Sequence, residues 1–412
     1  DKGYTMAKGG LHSKDDPRVI WAESGEILAD PDVTSMYPSF IVEYGVAPHH
    51  LSKQVFVGIV KWLRETRVEA KHTGRKLEAD ALKIVINRIY GALNDAMDYL
   101  YDPECTYTVT INLQLLLCGL IEAFELNNFD VLSANTDGLL VRLPLNRQGV
   151  FKHICNEWSA YSKLDLETEK FEKYCRSAVN DYIAVGYGFY DALQEYNRCG
   201  VWIDSKGNTY TTRQAIEDKF IKFKGYFLQD PEYNKGFVYP VVKKALKEYF
   251  LYGVDITEFI RNYINTSRTA IYDYCFSQKV AGKYTTIYKT VRDGKPVYIK
   301  CQKHNRFYIC KSGGGAITKA IVPDSDNIAY GDDISGIVVE EEKSLVAGQR
   351  VALFNDYEYK EDYNLNYGFY INEAYKILYG NGKTGKGERR GINNNSNNSV
   401  SYTHLTLPTN SR

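Results

Sequence analysis

The amino-acid sequence predicts a mixed α/β (α+β) protein in which antiparallel strands pack on helices. Three observations predict this class: a hairpin pattern over residues 129–143, two paired helices between residues 57 and 93, and a strand-rich segment over 280–319. At 412 residues the chain is long enough for two to four compact modules with a substantial core.

The first half of the chain predicts a strand, three helices and a hairpin. Residues 26–33 (EILADPDV) predict a short strand that runs into a turn. Residues 57–71 and 76–93 predict two helices, because apolar side chains recur at helical spacing on both sides of a His-Thr-Gly break. Residues 113–127 predict an apolar helix. Over 129–143, an Asn-Thr-Asp-Gly turn between two apolar runs predicts a β-hairpin.

The second half predicts a helix, a group of strands and a final helix. Residues 240–263 have the pattern of an amphipathic helix, 280–319 predict strands joined by glycine turns, and 364–379 predict the last helix. Residues 381–412 have no apolar periodicity and predict a disordered tail. The end of this tail (VSYTHLTLPTNSR) resembles translated sequencing-adapter read-through, so we exclude it from the fold prediction.

The charge of the chain is informative locally rather than overall. The 51 basic and 51 acidic residues cancel, yet residues 279–319 contain ten Lys or Arg residues and one acid, Asp293. The aromatic residues interleaved with these cations are Tyr284, Tyr288, Tyr298, Phe307 and Tyr308. Cations neutralise phosphates and rings can stack on bases, so the segment suits a nucleic-acid backbone. A solvated strand face with ordinary core aromatics explains the pattern equally well.

Other features narrow the protein class. The eight cysteines are scattered without a Cys-x-x-Cys pair, which argues against a zinc site and a disulfide framework and fits a reducing cytosol. No apolar run approaches membrane-spanning length, and the first residues lack the layout of a signal peptide. We therefore expect a cytoplasmic protein without a membrane partner.

Two short patches carry acidic residues at predicted turns. Asp32 ends the first strand, where its carboxylate and the backbone carbonyl of Val33 can point at one metal ion. A lone Asp in that position is more often a helix cap or a turn residue. Asp137 lies at the tip of the predicted hairpin, where Asp-Gly is a favoured turn pair that needs no metal to explain it.

A third patch lies on the two paired helices. Arg67 and Lys71 stand four residues apart on one face of the first helix. The second helix carries a face of similar character, with a glycine beside it: Lys83, Asn87, Tyr90 and Gly91. Cations and an amide on two neighbouring helices can form a cradle for a triphosphate. The alternative is ordinary solvated helix charge, although Asn and Gly are poor helix formers.

Taken together and in this order, the patches resemble the polymerase motifs of the family B (alpha-like) DNA polymerases. Residues 32–39 (DVTSMYPS) resemble D-x-x-S-L-Y-P-S, with Met in place of Leu. Residues 83–91 (KIVINRIYG) resemble K-x-x-x-N-x-x-Y-G, and Arg67 and Lys71 match the R-x-x-x-K pair that precedes it. Residues 135–137 resemble the D-T-D hairpin, with Asp137 as its final Asp. The ordered triplet is highly specific.

The resemblance extends over about residues 1–380. Residues 8–12 (KGGLH) resemble the Gly-Gly segment that links a proofreading exonuclease to the polymerase core. Residues 306–308 (RFY) and 367–378 resemble the thumb of phage-type members. The resemblance implies a right-hand fold with palm 26–52 and 92–225, fingers 53–91 and thumb 226–380. Residues 1–25 would then be a linker from an exonuclease region that precedes this sequence.

By this resemblance the chain is a template-directed DNA polymerase that adds dNTPs to a primer 3′-hydroxyl by two-metal phosphoryl transfer. Two Mg²⁺ ions, or Mn²⁺, would be held by Asp32, Asp137 and the Val33 carbonyl. The implied dNTP-binding residues are Ser35, Tyr37, Arg67, Lys71, Lys83, Asn87 and Tyr90. The implied template and primer contacts are Gly91, Tyr182, Lys222, Lys224 and Arg306. Tyr37 matches the ring that excludes a ribose 2′-hydroxyl.

The sequence departs from the family pattern at three places. Asn135 stands where most of the family has Asp, and because that Asp is the less direct metal partner we expect activity to survive. Pro31 precedes Asp32 in an inner strand and predicts a bulge there. The later K-x-Y element is Asn180-Asp181-Tyr182, so its Lys is missing, and Lys222 and Lys224 are candidates to supply the charge.

Further expectations concern the primer, the source and the alternative functions. Short gaps between the motifs favour a nucleic-acid primer, and these gaps together with the thumb segments favour a phage or phage-like source. For such a source we expect a role in viral DNA replication and a location in the host cytoplasm. We expect a monomer, and we expect this part of the protein not to proofread, whereas a complete protein with a preceding exonuclease region would. One alternative is a catalytically inactive polymerase-like module that binds nucleic acid. Another is a palm enzyme of a different class, such as a reverse transcriptase or RNA polymerase, although these lack the K-x-x-x-N-x-x-Y-G helix.

Overall fold

The computed structural model describes residues 3–7, 9–14, 18–178, 181–225 and 239–379. The predicted disordered tail, Lys8 and Asn180 lie outside these residues. The chain divides into two compact units. Unit 1 comprises Asp1–Asn180 and Ala184–Lys222, and unit 2 comprises Asp181–Ile183 and Phe223–Arg412. The predicted subdivision into palm, fingers and thumb stays a prediction.

The part of the chain before residue 226 contains helices and strands in similar measure. Its helices are α1 (Met36–Tyr44), α2 (Lys53–His72), α3 (Lys76–Ala92), α4 (Pro103–Leu126), α5 (Gln148–Ser162), α6 (Phe189–Cys199) and α7 (Arg213–Phe220). Its strands are β1 (Tyr4–Ala7), β2 (Gly10–Ser13), β3 (Arg18–Trp21), β4 (Glu26–Val33), β5 (Asp130–Asn135), β6 (Gly138–Pro144), β7 (Leu166–Ala178), β8 (Asp181–Gly186), β9 (Trp202–Ile203), β10 (Thr209–Tyr210) and β11 (Ile221–Lys224).

Most of these strands form one sheet. Its order is β1-β2-β5-β6-β4-β7-β8-β11, with β3 pairing with β7. β4 is an inner strand that pairs antiparallel with β6 on one side and with β7 on the other. The predicted hairpin is confirmed, since β5 and β6 pair up to Asn135 and Gly138 and leave a two-residue turn. The predicted mixed helix and antiparallel-sheet architecture is therefore observed.

Pro31 does not produce the predicted bulge. Ala29 faces Val141 and Asp32 faces Gly138, so β4 and β6 keep one register across the proline. The β4–β6 pairing is interrupted at Asp30 and Pro31, while the β4–β7 pairing continues through both residues. Proline has no backbone N–H, and a short gap in one ladder accommodates this without an extra residue.

The paired helices of the prediction are present, with α2 beginning four residues earlier than expected. They are separated at Thr73 and Gly74, where Gly74 has a φ of 75° that favours glycine. α2 buries Phe56, Val60 and Leu63 along one side. The cations of the predicted cradle are left on the partly exposed sides of the two helices.

Helix α4 is longer than predicted, because it begins at Pro103 rather than at residue 113. Asp102 caps it by accepting a hydrogen bond from Cys105 N at 3.0 Å, and proline is well suited to the first turn. By length and composition it is the one helix within the described residues that could cross a membrane, which the sequence analysis did not anticipate. One face of α4 packs into the core of unit 1, which accounts for much of its apolar character.

Within its described residues, unit 2 contains two small sheets and four α-helices. Its helices are α8 (Pro240–Tyr252), α9 (Ile256–Asn262), α10 (Ile271–Tyr274) and α11 (Tyr367–Tyr379). Its strands are β12 (Cys275–Lys279), β13 (Thr285–Arg292), β14 (Lys295–Cys301), β15 (His304–Cys310), β16 (Ala316–Ile321), β17 (Glu340–Ser344) and β18 (Arg350–Leu353). The sheets have the orders β12-β15-β18 and β14-β13-β16-β17.

The prediction of one helix over 240–263 is wrong. α8 ends at Tyr252, followed by Gly253 with a φ of 72°, and α9 begins again after Asp255. The side chain of Asp255 accepts from Glu258 N at 2.8 Å, which is a normal helix N-cap. A left-handed glycine and a capping Asp so close together favour two helices over one.

Tyrosine side chains account for much of the unit 2 core. Tyr370 is fully buried, and its hydroxyl donates to Tyr274 O at 2.8 Å and accepts from Ile309 N at 2.9 Å. Phe307 and Tyr308, which the sequence analysis counted among the rings interleaved with cations, are also buried. Buried hydroxyls need partners, and here the backbone supplies them. These rings therefore stabilise the fold.

A buried acid joins the loop before α2 to the start of α4. Asp102 accepts hydrogen bonds from His49 N and His49 Nδ1, both at 2.8 Å. Burial alone raises the pKa of Asp102, but hydrogen bonds from Cys105 and His49 outweigh it and lower the pKa to about 2. The hydrogen bond to Asp102 raises the pKa of His49.

We expect the His49–Asp102 contact to stabilise the protein most between about pH 4 and pH 6.5. The folded pKa of Asp102 is lowered, so its contribution is present above its unfolded pKa and is lost as the pH falls towards 2. The folded pKa of His49 is raised, so its contribution is present below its unfolded pKa and is lost as the pH rises through the folded value. Urea unfolding of the wild type and of His49→Gln across this range measures the difference.

The matched control is His153→Gln, because His153 lies 3.3 Å from Glu157 in an exposed pair on one helix. Because that variant keeps the His49–Asp102 contact, its difference from the wild type in free energy of unfolding should vary less with pH than the difference for His49→Gln. An effect of His49→Gln that does not change with pH would contradict the assignment of the stabilising contact.

Candidate active site

The sheet of unit 1 brings Asp32 and Asp137 to one place. Asp32 faces Gly138 across the β4–β6 ladder, and Asp137 immediately precedes that glycine. Val33 N donates to Asp137 O at 2.8 Å, which joins the two chain segments directly beside the carboxylates. Val33 itself is buried. Residues more than one hundred positions apart in sequence therefore meet at the ends of neighbouring strands.

The two carboxylates interact electrostatically. Partial loss of hydration, followed by repulsion from Asp137 and Asp30, raises the pKa of Asp32 to about 7, while Lys222 opposes the shift. The Asp32 side chain is exposed to solvent and so remains accessible to an ion. Excess negative charge at an exposed strand end is the electrostatic condition that a divalent cation relieves.

Because Gly138 has no side chain, the Asp32 carboxylate can occupy the space beside it. A Cβ atom at this position would lie 2.9 Å from Asp32 Oδ1 and 3.3 Å from Asp30 Oδ1. The backbone of Gly138 is not in the left-handed region, so the requirement for glycine is one of space. The sequence analysis treated this glycine only as a turn residue.

The hairpin tip is held by β2. Thr136 has a φ of 56°, an uncommon conformation for a β-branched residue. Its N–H donates to Leu11 O at 2.8 Å, and its hydroxyl lies 3.2 Å from His12 Nε2. A Cβ on Gly10 would lie 3.0 Å from Thr136 Cγ2, so the described part of the predicted Gly-Gly segment packs directly on the tip.

Two acids on β7 belong to the site and were not predicted. Glu167 faces Asp32 across the β4–β7 ladder, and Glu169 faces Asp30. Opposed residues of an antiparallel pair lie on the same face of a sheet, so the four acids share one face. The only sequence signal is the alternation of acids in L-E-T-E-K on β7, which matches that of D-P-D on β4.

Each unpredicted acid pairs with a predicted cation. Lys71 Nζ lies 3.0 Å from Glu167 Oε2, and Lys222 Nζ lies 2.8 Å from Glu169 Oε2. Both pairs are well exposed, and such pairs are weak individually. Lys71 of the predicted cradle therefore stands beside the same sheet face as Asp32.

Ser35 and Arg67 form a second contact near the strand end. Ser35 has a φ of 49° and accepts a hydrogen bond from Arg67 Nη1 at 2.6 Å. The buried Nε of Arg67 makes no hydrogen bond to the described residues. The turn after Asp32 thus presents a hydroxyl to the guanidinium group of α2.

Tyr37 and Tyr90 are stacked. Their ring centroids are 4.0 Å apart, and the planes differ by 17°. The Tyr37 hydroxyl donates to Gly9 O at 2.7 Å, and the Tyr90 hydroxyl lies 2.5 Å from Thr110 Oγ1. Burial is the first cause of the raised pKa of both tyrosines. Contacts at both hydroxyls and between the rings fix the position of the pair.

The remaining residues of the predicted cradle are exposed on α3. Lys83 and Asn87 make no side-chain hydrogen bond or ion pair with the described residues. Gly91 is also exposed, and a Cβ there would have no atom within 4 Å. These three positions are available to a ligand.

Three of the predicted template and primer residues lie in unit 2, which is described separately. Tyr182 is buried, and Lys224 Nζ lies 5.7 Å from the centroid of its ring. Arg306 stands over the ring of Tyr272 at 5.0 Å. Within unit 2 these cations have aromatic partners.

The chemistry of the donor set fits magnesium. Asp32 and Asp137 supply hard carboxylate oxygens, which Mg²⁺ prefers, and the repulsion between them contributes to the raised pKa of Asp32. Among the described residues there is no group of three or more His, Cys, Asp or Glu side chains arranged to hold a metal ion. A two-carboxylate site relies on backbone and substrate oxygens to complete the shell, and Mg²⁺ sites in phosphoryl-transfer enzymes commonly do so.

A comparison with solved structures aligns the chain with part of a longer protein. The family B DNA polymerase from the hyperthermophilic archaeon Pyrobaculum calidifontis aligns with 92% of this chain and 47% of that chain, with a TM-score of 0.44 and 13% sequence identity. No protein-family model matches the sequence.

In sequence, the chain is similar to DNA polymerase II of Escherichia coli (strain K12). The two are 27% identical over 118 residues, which is 29% of this chain and 15% of that protein. The matched region is thus a small part of the bacterial polymerase. Both comparisons are with DNA polymerases, and each covers less than half of the other protein.

Proposed function

We propose that this chain is the polymerase part of a family B-like, template-directed DNA polymerase. The observation that carries the proposal is the β4–β6 register, which puts Asp32 beside the Asp137 hairpin tip. The local similarity to DNA polymerase II supports the same class of activity. The reaction is the addition of a dNTP to a primer 3′-hydroxyl with release of pyrophosphate.

Asp32, Asp137 and the carbonyl of Val33 are the proposed ligands of two Mg²⁺ ions, or of Mn²⁺. Bound metal would lower the pKa of the primer hydroxyl and neutralise charge on the α-phosphate and the leaving pyrophosphate. The protein's part is to hold both carboxylates on adjacent strand ends, where Gly138 leaves room for the Asp32 oxygens.

The proposed triphosphate cradle consists of Arg67, Lys71 and Lys83, with Ser35 and Asn87 in supporting positions. Lys83 has no ion pair among the described residues, so it can meet a phosphate without breaking a contact. Lys71 must exchange Glu167 for a phosphate oxygen. Because that pair is exposed, the exchange costs little.

Tyr37 is the proposed barrier to ribonucleotides. Stacking on Tyr90 and the hydrogen bond to Gly9 O keep its ring from turning aside. A ring fixed under the sugar leaves no space for a 2′-hydroxyl, so selectivity comes from steric exclusion.

The proposed partners are primer–template DNA and dNTPs. Gly91, Tyr182, Lys222, Lys224 and Arg306 are the proposed template and primer contacts. In this proposal palm and fingers belong to residues 26–225, and the thumb to residues 226–380. The protein would act as a monomer in phage or viral DNA replication in the host cytoplasm.

Replacing either acid should abolish primer extension. Asp32→Asn and Asp137→Asn each remove a proposed metal ligand, and several kcal/mol of lost transition-state stabilisation corresponds to a decrease of at least about 100-fold. The measurement is extension of a labelled primer on a DNA template with Mg²⁺. Asp130→Asn, at the other end of the hairpin, is the control and should keep near wild-type activity.

Extension at the wild-type rate by either variant would refute the metal assignment. DNA binding without any extension by the wild type would instead favour the catalytically inactive module.

Gly138→Ala should reduce extension while leaving the fold intact. The added methyl group lies too close to Asp32 Oδ1, so the carboxylate must move. We expect at least about a tenfold decrease in kcat, which corresponds to 1.4 kcal/mol. Gly119→Ala is the control, since a Cβ there meets no atom within 4 Å. If Gly138→Ala and Gly119→Ala extend the primer at equal rates, activity does not depend on the position of the Asp32 carboxylate.

Tyr37→Val should admit ribonucleotides. Loss of the ring opens the space below the sugar, and we expect the dNTP to rNTP ratio of kcat/KM to fall by at least about tenfold. Tyr37→Phe keeps the ring and loses only the bond to Gly9 O, so it should keep most of the discrimination. If both variants select dNTPs as well as the wild type does, Tyr37 is not the barrier.

A further inference from the structure

One sheet of unit 2 carries opposed charges at its edge. β17 is the last strand of the order β14-β13-β16-β17, and all five of its residues are exposed. It begins with three consecutive acids, Glu340, Glu341 and Glu342. The lysines gathered near them are Lys283, Lys289, Lys319 and Lys343.

Two of the three acids hold residues of the basic segment. Glu341 accepts from Lys283 Nζ at 2.9 Å and from the Tyr284 hydroxyl at 2.6 Å. Glu342 Oε1 lies 2.6 Å from Lys289 Nζ. The side chain of Glu340, on the same strand, makes no hydrogen bond or ion pair with the described residues, and acts on Lys283 only through its charge. Direct hydrogen bonds and ion pairs are therefore made by two of the three acids.

A β-bulge produces this arrangement. Lys319 faces Lys343 and Ile321 faces Glu340, so two residues of β17 lie opposite the single residue between them on β16. Glu341 is one of the two and has a φ of 48°, where such bulges usually have glycine. A strained non-glycine residue at this point suggests that its side chain is required.

The lysines around the bulge form a surface with excess positive charge. Lys319 and Lys343 are directly opposed across the β16–β17 ladder, which is unfavourable for like charges. Lys319 Nζ also lies 5.0 Å from the centroid of the Tyr284 ring. Without its acids, this edge would present four lysines and a tyrosine together, a pattern suited to a nucleic-acid backbone.

We propose that Glu341 and Glu342 are internal counterions that compete with a nucleic-acid phosphate backbone for Lys283, Tyr284 and Lys289. In the free protein the carboxylates occupy these groups, and a bound backbone must displace them. The choice of nucleic acid as the ligand rests on the proposed function. The ion pairs themselves are observed in the structure and do not depend on that function. The competition limits affinity for any polyanion and eases release of the bound strand.

The simpler explanation is that acids protect the edge strand from pairing with another chain. Glu340 would serve that purpose as well as its two neighbours. A comparison of the three positions therefore separates the explanations, because each Gln variant removes one charge from the same strand.

The test measures equilibrium binding of the full chain to a fluorescent primer–template duplex without dNTP. Glu341→Gln and Glu342→Gln should each tighten binding more than Glu340→Gln, by a factor of about 1.5 to 5 for an exposed ion pair. The gain should shrink between about 50 and 200 mM salt, because screening weakens the competing pairs. Glu341→Gly should bind as tightly as Glu341→Gln and unfold at a higher temperature, since glycine relieves the backbone strain.

A second set of variants tests whether the gain in binding depends on the lysines. In a Lys283→Gln, Lys289→Gln background, the gain from the Glu341 and Glu342 variants should disappear. Equal effects at all three glutamates, or a gain that persists without the lysines, would overturn the proposal. Primer extension is measured separately. If the chain shows this binding pattern but does not extend a primer, the polymerase proposal is refuted and the counterion proposal stands.

Discussion

The register of β4 between β6 and β7 is the constraint on which the candidate site depends. It sets Asp32 opposite Gly138 on one side and opposite Glu167 on the other. A shift of one residue would turn Asp32 to the other face of the sheet and bring the buried Val33 to the surface. The apolar residues of β4 thus fix the position of the acid, because their burial specifies the register.

This register also concentrates negative charge, and the surrounding helices and strands balance it. Lys71 from α2 and Lys222 from β11 each pair with an acid of β7, two strands from the hairpin. These cations leave Asp32 and Asp137 as the acids whose repulsion is still visible in a raised pKa. The site thus combines ion-paired acids at its border with two acids that repel each other at its centre.

Local patterns predicted the elements of the site, and non-local pairing decided what surrounds them. The hairpin over 129–143 and the helices α2 and α3 follow from turn residues and apolar spacing within short segments. Glu167 could not be placed from sequence, since nothing within β7 indicates which strand it faces. The early start of α4 was missed because its first turns are rich in Thr and Tyr, which favour strands in isolation. Its burial against the sheet overrides that preference.

The contact between β2 and the hairpin tip has a consequence for how the molecule reaches its native state. Thr136 and His12 are separated by 124 positions, yet their side chains meet and Leu11 O fixes the Thr136 backbone. Closing so long a loop is entropically costly, and contacts of this range generally form late in folding. The acidic centre therefore acquires its final shape only after β2 has reached the hairpin tip. Partly folded chains would carry the same acidic residues without bringing Asp32 and Asp137 to their final positions.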